Sequence, residues 1–564
     1  MAGKDGFVSC VIGSFVGSKM VAQKNPVKNI WMLSREYGSL AGAGGVKDVV
    51  HQLSKSLARW SGRSVHVVLP LYGFMSAGSM GFRAVEDPLL PGQKLQLAID
   101  MSLPGEQVLE SVSFYSNRLE RVNVYLVDAV RFSDKKSVYT YTKEEESGKS
   151  WQKASVGHHD YFAMNVLLQK SALEFMIALN EKPDVIHCHD GHTALTSALI
   201  HETPGYRSYF RGTGCLTTIH NAGYGYHQEV ADIPYAHSIT GLSEETLARN
   251  QLEDKFDPLL VAGAFGLVNT VSENYAAELQ KSQNDQMTGW LGHEFGNRGI
   301  LLEGITNGID PEEFSALDEK IPENCRFNPG SLKDDLRGKR LFKENFVEEV
   351  TNFCSFDGVE QFGFLRSMAD APLYTFIGRL SGQKGVDLLL EVLPVFLVQN
   401  NAVTVVVLGS GEGELESGLM DLAQEERFSG RVCYLKGFSS ELAEKVYCAG
   451  DYFIIPSRFE PCGLTDFIAQ LYGNIPIAHH VGGLVKVVDG VTGLAYKGND
   501  PGDLLGALER ALALEGEPSR KRQIQINAVE TIEKRYTWSK VMHSYMDLYA
   551  RSRMRQLEHL HPTE

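Results

Sequence analysis

A chain of 564 residues is too long for one compact core, and at roughly 150 residues per domain it divides into two or more. With 54 Lys and Arg against 70 Asp and Glu, its formal charge of −16 argues against nucleic acid as a partner, leaves room for a local basic pocket around a small phosphate ligand, and is indifferent to a neutral polysaccharide. Eight cysteines without a C-x2-C pair argue against structural zinc and a secreted disulfide framework, so the chain reads as a cytoplasmic protein with reduced thiols; no apolar run nears the ~20 residues of a membrane helix, so no membrane partner is expected.

Residues 1–25 are expected to form a flexible tail, because Gly and Ser interrupt the apolar patch from Phe7 to Val16 and its flanks fit a signal peptide poorly. From Asn29 onward, short β-branched runs alternate with helix-length segments. NIWMLS, VHVVLPLY, VNVYLVD, DVIHCHD and CLTTIH form one series, and LYTFIGRL, VTVVVLGSG, RVCYLKGF, DYFIIPS and IPIAHHVGG a second. Near-continuous apolar strands suit parallel sheets covered on both faces, so the expected class is α/β with two doubly wound lobes. The segment from Pro311 to Pro372 is polar and shows no clear strand; it reads as a helical insertion opening the second lobe. Helices are expected from Arg520 to the end. Ligands of an open parallel sheet sit beyond the carboxyl ends of its strands, where Glu36, Asp190, His220, Arg379 and Glu460 each end or follow a strand-like run.

Taken in order, the first glycine-rich turn is AGAGG, Ala41 to Gly45, followed much later by GSGEG, Gly409 to Gly413, and VGGLV, Val481 to Val485. Each lets backbone approach a ligand, although such turns equally serve packing. GSGEG lacks the G-x-G-x-x-G spacing and carries Glu412 inside it, which disfavours a nicotinamide cofactor. HCHDGH, His187 to His192, suggests metal ligands at first sight; we expect His187 and His189 to face opposite ways and form no chelate, leaving hydrogen-bonded core histidines and no metal. GRLSGQKGVDLL places Arg379 and Lys384 between a strand and a helix, where both can reach one polyanion, the alternative being a solvated lysine. PSRFEPCGLT, Pro456 to Thr465, sets Glu460 ahead of Gly463 and Thr465; a carboxylate there can hold sugar hydroxyls, or cap a helix. Cys462 has no sequence-adjacent His and reads as a packed thiol.

In this order, SREYGSLAGAGGVKDVV, VVLPLY, PDVIHCHDGHTAL, TTIHNAGY, NTVSENYAAEL, GITNGID, GRLSGQKGVDLL, SRFEPCGLT and GGLVKVVDGVTG resemble glycosyltransferase family 5, the glycogen and starch synthases that use ADP-glucose. The resemblance implies a GT-B fold: two Rossmann-like lobes with an active-site cleft between them and a C-terminal crossover helix. It sets the lobes at residues 26–303 and 304–530, with 531–564 crossing back. The implied reaction is metal-independent, cofactor-free transfer of glucose from ADP-glucose, with UDP-glucose as the other candidate donor, to the non-reducing 4-OH of an α-1,4-glucan. Carried over by position, Arg379 and Lys384 clamp the diphosphate and Glu460 stands beside the donor glucose. His220, with Asp190, Asn221 and Asn307, holds the reacting sugar; Gly44, Gly45, Cys462, Gly463, Leu464 and Thr465 form donor-binding turns. Phe438 stacks on adenine, and Glu36 is assigned to the acceptor side.

Several positions depart from the family strings. The lysine of K-x-G-G-L is Gly42, the aromatic of HDW is Gly191, and a Tyr-Asp-Arg motif reads Ser133-Asp134-Lys135. T-G-G-L-x-D-T-V becomes Val481 to Val488 with Lys486 at its acidic position, and T-Q-L-Y becomes Thr465-Asp466-Phe467-Ile468. The alternatives to an active synthase are a weakened relative that binds glucan or a partner synthase, and a retaining GT-B enzyme with another donor.

Overall fold

The computed structural model of the chain describes residues 26–60, 62–366 and 371–560; the tail expected over 1–25 lies outside them. The chain divides into two compact units. The first runs to Thr270 and includes Ala276–Ile305 and the chain from Met542; the second comprises Val271–Tyr275 and Thr306–Val541. The chain rejoins the first unit at Met542, inside the helix Trp538–Leu560.

The first unit is built on β1 (Asn29–Leu33), β2 (Ser64–Pro70), β3 (Leu109–Leu119), β4 (Val122–Asp128), β5 (Val185–His189), β6 (Gly214–Ile219), β7 (Leu267–Thr270) and β8 (Leu302–Gly304). These lie in the order β8-β7-β6-β5-β1-β2-β4-β3, and all pairs are parallel except β4 with β3. In chain order the parallel strands run 3-2-1-4-5-6-7, so the winding reverses at β1 and β5. Every residue of β5 and β6 is buried, which is why they read as continuous apolar runs. α1 (Val46–Arg59) follows the first glycine turn, and α2 (Tyr161–Ala178) is apolar almost all round because it packs inside the unit. β3 escaped the sequence reading. LESVSFYSNRL alternates polar and apolar residues, and it pairs antiparallel with β4 and with Gln96–Asp100 at the sheet margin.

The second unit has α3 (Arg337–Thr351), β9 (Val359–Leu365), β10 (Leu373–Ile377), α4 (Val386–Gln399), β11 (Thr404–Gly409), β12 (Arg431–Gly437), β13 (Tyr452–Ile455), α5 (Thr465–Leu471), β14 (Ile475–His479) and β15 (Leu494–Tyr496). Its sheet order is β9-β12-β11-β10-β13-β14-β15. Without β9 this is 3-2-1-4-5-6, the doubly wound order, with its reversal at β10 and β13. Alternate residues of β11 enter different cores: Val405 and Val407 one, Val406 and Leu408 the other, so both faces are covered. The 311–372 segment corrects the expectation of a strandless insertion. It contains helix α3 but also β9, antiparallel to β12, with Gly363 at φ +68 where an added Cβ would sit 2.4 Å from the Val432 carbonyl oxygen. A glycine inside a half-polar edge strand hides the strand signal.

The final helix, α6 (Trp538–Leu560), follows a single π turn, Ile532–Tyr536. Among the described residues no helix is long and apolar enough to cross a membrane.

Candidate active site

In the first unit the candidate residues follow β1, β5 and β6, at the winding reversal and beside it. Asp190 is 1% exposed, sits at φ +57, and its Oδ1 accepts from the backbone N–H of His220 at 2.7 Å and of Asn221 at 3.4 Å. Its own N–H donates to the Thr218 carbonyl at 2.9 Å, so one residue ties the end of β5 to the turn after β6. Burial pushes its carboxyl up to about 8 despite those two donors.

His220 Nε2 lies 2.9 Å from His189 Nδ1, and burial lowers His220 to about 3, so the imidazole is neutral. His189 Nε2 is buried with no partner. An orphan lone pair is tolerated better than an orphan N–H, which assigns the shared proton to His189 Nδ1 and leaves His220 with its proton on Nδ1. Behind them runs a chain of fixed direction. Thr218 Oγ1 donates to Asn269 Oδ1 at 2.7 Å and therefore accepts from His187 Nε2 at 2.7 Å, while Tyr549 Oη donates to His187 Nδ1 at 2.9 Å. The expectation that His187 and His189 face opposite ways is wrong. Two residues apart on a strand they share a face, and their rings lie 4.3 Å apart. They do so within a hydrogen-bonded core, and the described residues contain no group of three or more His, Cys, Asp or Glu placed to hold a metal ion.

Glu36, 2% exposed, is engaged at both oxygens: Oε2 accepts from the N–H of Ala43 at 2.7 Å and Gly44 at 3.2 Å, Oε1 from Tyr139 at 2.6 Å. It braces the glycine turn. Gly45 caps α1, and a Cβ on Gly44 would meet nothing within 4 Å. At Gly42 an added Cβ would lie 2.4 Å from Lys47 Cδ, so the stem of Lys47 fills the space of the missing side chain. Gly191 is similarly enforced: a Cβ there would lie 2.2 Å from the His227 carbonyl oxygen. Lys135 of Ser133-Asp134-Lys135 is committed to Asp160 at 2.9 Å.

In the second unit the turns after β10, β11 and β13 are stitched together. A Cβ on Gly409 would lie 2.0 Å from the Gly378 carbonyl oxygen, and one on Gly385, at φ +70, would lie 2.1 Å from that of Pro456. Arg458 donates to both carboxylate oxygens of Asp387 at 2.6 and 2.8 Å and to the Gly382 carbonyl, locking the β13 turn to the β10 turn. On this platform Lys384 Nζ donates to Glu460 Oε2 at 2.5 Å, and Ser457 Oγ donates to the same oxygen at 3.1 Å. Arg379 is exposed, as is Phe438, 66% accessible beyond β12. Cys462 is buried, its thiol pushed up to about 11 by burial and bonded by the Asn307 N–H, so it is no nucleophile. Asn307 Oδ1 is buried and unpartnered. Leu464 and Thr465 begin α5 just after Gly463, which takes φ +74. Arg458 was missed in the sequence; it lies inside a quoted motif, but only pairing reveals its partners, as it does the His220 partner of the core histidine His189.

Residues 29–293 match the family described as starch synthase catalytic domain, and residues 360–529 that of glycosyl transferases group 1. The chain is 30% identical over 550 residues to the glycogen synthase of Photobacterium profundum, covering 93% of this chain and 95% of that one. It is 31% identical over 477 residues to glycogen synthase 2 of Geobacter metallireducens, covering 83% and 87%. Among solved structures, the catalytic domain of starch synthase IV from Arabidopsis thaliana, bound to ADP and acarbose, superposes with a TM-score of 0.74 at 25% identity over 94% of this chain and all of that one. Sucrose-phosphate synthase from Thermosynechococcus elongatus shares the fold at a TM-score of 0.52 and 16% identity, over 94% and 100%. Two doubly wound units, matched in series by these families and over nearly the whole length by glycogen synthases, show that the chain belongs to the glycogen and starch synthase family of GT-B glycosyltransferases.

Proposed function

We propose that this chain transfers glucose from ADP-glucose to the non-reducing 4-OH of an α-1,4-glucan with retention of configuration. The observation that carries the reading is the Lys384–Glu460 pair at the winding reversal of the second sheet, held by Ser457 and by the Arg458 lock. An open sheet binds its ligand at that position, and a cation beside a carboxylate suits a phosphorylated sugar.

In the reaction the bond from glucose C1 to the diphosphate oxygen breaks, a bond from C1 to the acceptor O4 forms, and the hydroxyl proton leaves with the diphosphate. Arg379 and Lys384 stabilise the charge on the departing diphosphate. Glu460 holds hydroxyls of the donor glucose. Neutral His220 offers its Nδ1–H and its backbone carbonyl to the reacting sugar, with Asp190 fixing the His220–Asn221 turn. Asn307 supplies its unpartnered Oδ1. Gly44 and Gly45 let backbone approach the donor, as do Cys462, Gly463, Leu464 and Thr465, and Phe438 takes the adenine ring. We place the protein in the cytoplasm, consistent with the free thiols of Cys188, Cys215, Cys433 and Cys448.

One observation favours a second reading, a glucan- or synthase-binding relative: no lysine stands at position 42, and the stem of Lys47 lies there instead. Transfer of labelled glucose to glycogen from ADP-glucose and from UDP-glucose, with Glu460→Ala as control, separates them. Incorporation that Glu460→Ala abolishes supports the synthase and names its donor; no incorporation from either donor by folded protein leaves the binding relative.

A further inference from the structure

The turn that carries Glu460 has all its carbonyl groups drawn inward. The Glu460 carbonyl accepts from the Gly483 N–H at 2.9 Å, that of Pro461 from Ser272 Oγ at 2.7 Å, and those of Cys462 and Gly463 from one ammonium group, Lys486 Nζ, the latter at 2.8 Å. Lys486 also donates to the Gly483 carbonyl at 3.2 Å, so a single side chain holds two turns together. A Cβ on Gly482 would lie 2.0 Å from the Glu460 carbonyl oxygen, and one on Gly483 would lie 2.2 Å from that of Cys462, so the turns meet backbone on backbone.

In a trans peptide the N–H points opposite to the carbonyl before it. With the Pro461, Cys462 and Gly463 carbonyls facing in, the N–H groups of Cys462, Gly463 and Leu464 face out. Gly463 at φ +74 makes successive N–H groups converge, as in a backbone nest for anions. Among the described residues none of these three N–H groups has a protein acceptor.

Lys486 is buried, its side chain 5% exposed, and its counter-ion is Asp466, 0% exposed with Oδ1 at 3.1 Å. Both are departures from the family strings noted above, a lysine for the acid of T-G-G-L-x-D-T-V and an aspartate for the glutamine of T-Q-L-Y. Read singly, each is a lost contact; in the structure they face one another, so the two changes form one charge pair.

We propose that Lys486 is a positioning residue for the nucleoside diphosphate: it clasps the Cys462 and Gly463 carbonyls inward, with Asp466 as counter-ion, so that the N–H groups of Cys462, Gly463 and Leu464 face the diphosphate. This rests on the donor-binding reading given above. Two measurements test it. The first is hydrogen exchange of the wild-type protein with and without ADP. Exchange of the Cys462–Leu464 amides slows at least tenfold when ADP binds; unchanged exchange at saturating ADP overturns the proposal. The second is the double variant Lys486→Met with Asp466→Asn, which leaves no lone buried charge. ADP affinity by calorimetry falls at least tenfold and the KM for the sugar donor rises with it, while the KM for glucan holds. A folded double variant with ADP affinity within twofold of wild type makes Lys486 a packing residue only and overturns the proposal. A wild-type protein that binds neither ADP nor UDP defeats the donor-binding reading itself, and this inference with it.

Discussion

Lys384 Nζ sits 2.5 Å from Glu460 Oε2, and Ser457 Oγ donates to that same oxygen at 3.1 Å. The pair joins the turn after β10 to the turn after β13, the two strands between which the winding of the second sheet reverses. One oxygen of Glu460 is thereby committed to Lys384 and Ser457; under the proposed function Oε1 is left for sugar hydroxyls, and a diphosphate competes with Glu460 for Lys384. Because each residue orients the other, their losses do not add. Glu460→Ala and Lys384→Ala are each expected to reduce glucose transfer by about a hundred- to a thousandfold, the scale for removing one preorganised charge. The double variant should be little worse than the poorer single one. Steady-state rates on all four proteins check this, and losses that multiply would show that the two residues act separately.

Asp190 makes stability depend on pH in a stated direction. Its folded pKa is raised by burial from 3.8 to about 8, against the opposing hydrogen bonds from His220 and Asn221. Between those values the folded state holds a proton that the unfolded state has released, so this group's contribution is full below about pH 4 and is lost as pH rises toward 8. Asp190→Asn keeps an acceptor oxygen for the two N–H groups and cannot titrate. Its stability relative to wild type should therefore rise steadily over that window and level off above it. Urea midpoints at a series of pH values measure the difference, and a flat difference would mean that Asp190 is ionised when folded.

Tyr549 terminates the chain Tyr549–His187–Thr218–Asn269, and its hydroxyl is the donor that satisfies His187 Nδ1. Tyr549→Phe leaves that nitrogen buried and unpaired, which costs about 1–3 kcal/mol. The lost stability should appear in the urea midpoint, with glucose transfer at saturating substrates close to wild type, because His220 keeps its bond to His189.

The doubly wound character of both units was legible because their central strands are buried on two faces and read as unbroken apolar runs. The margins were not. β3 alternates polar with apolar residues, and β9 carries Gly363 at positive φ, so both lack the signal of a central strand. The candidate site shows the same division. Motif position singles out Glu460, Lys384, Asp190 and His220 as candidates, but not what pairs with them. His189 and Arg458 pair with residues about 30 and 70 positions away, and the sequence does not show that the two oxygens of Glu36 are taken up by Tyr139 and the glycine turn. Gly191 is a loss in the sequence and a necessity in the structure, since the His227 backbone occupies the place of any side chain.

Phe438 is the candidate whose role separates most cleanly from stability. Its ring is 66% exposed, just past the end of β12, so removing it leaves no cavity and should shift the urea midpoint little. An exposed aromatic at the carboxyl edge of this sheet has a face free for a nucleobase, and such stacking is worth about 1–3 kcal/mol. Phe438→Ala is therefore expected to raise the KM for ADP-glucose by about ten- to a hundredfold while leaving kcat nearly unchanged, because stacking on the base is the same in ground and transition states. Phe438→Tyr should restore the KM, since the stacking face is kept. Initial rates over a range of donor concentrations decide between the two contributions. A KM unchanged by Phe438→Ala would place the base elsewhere, while a loss confined to kcat would tie this residue to the reacting sugar instead.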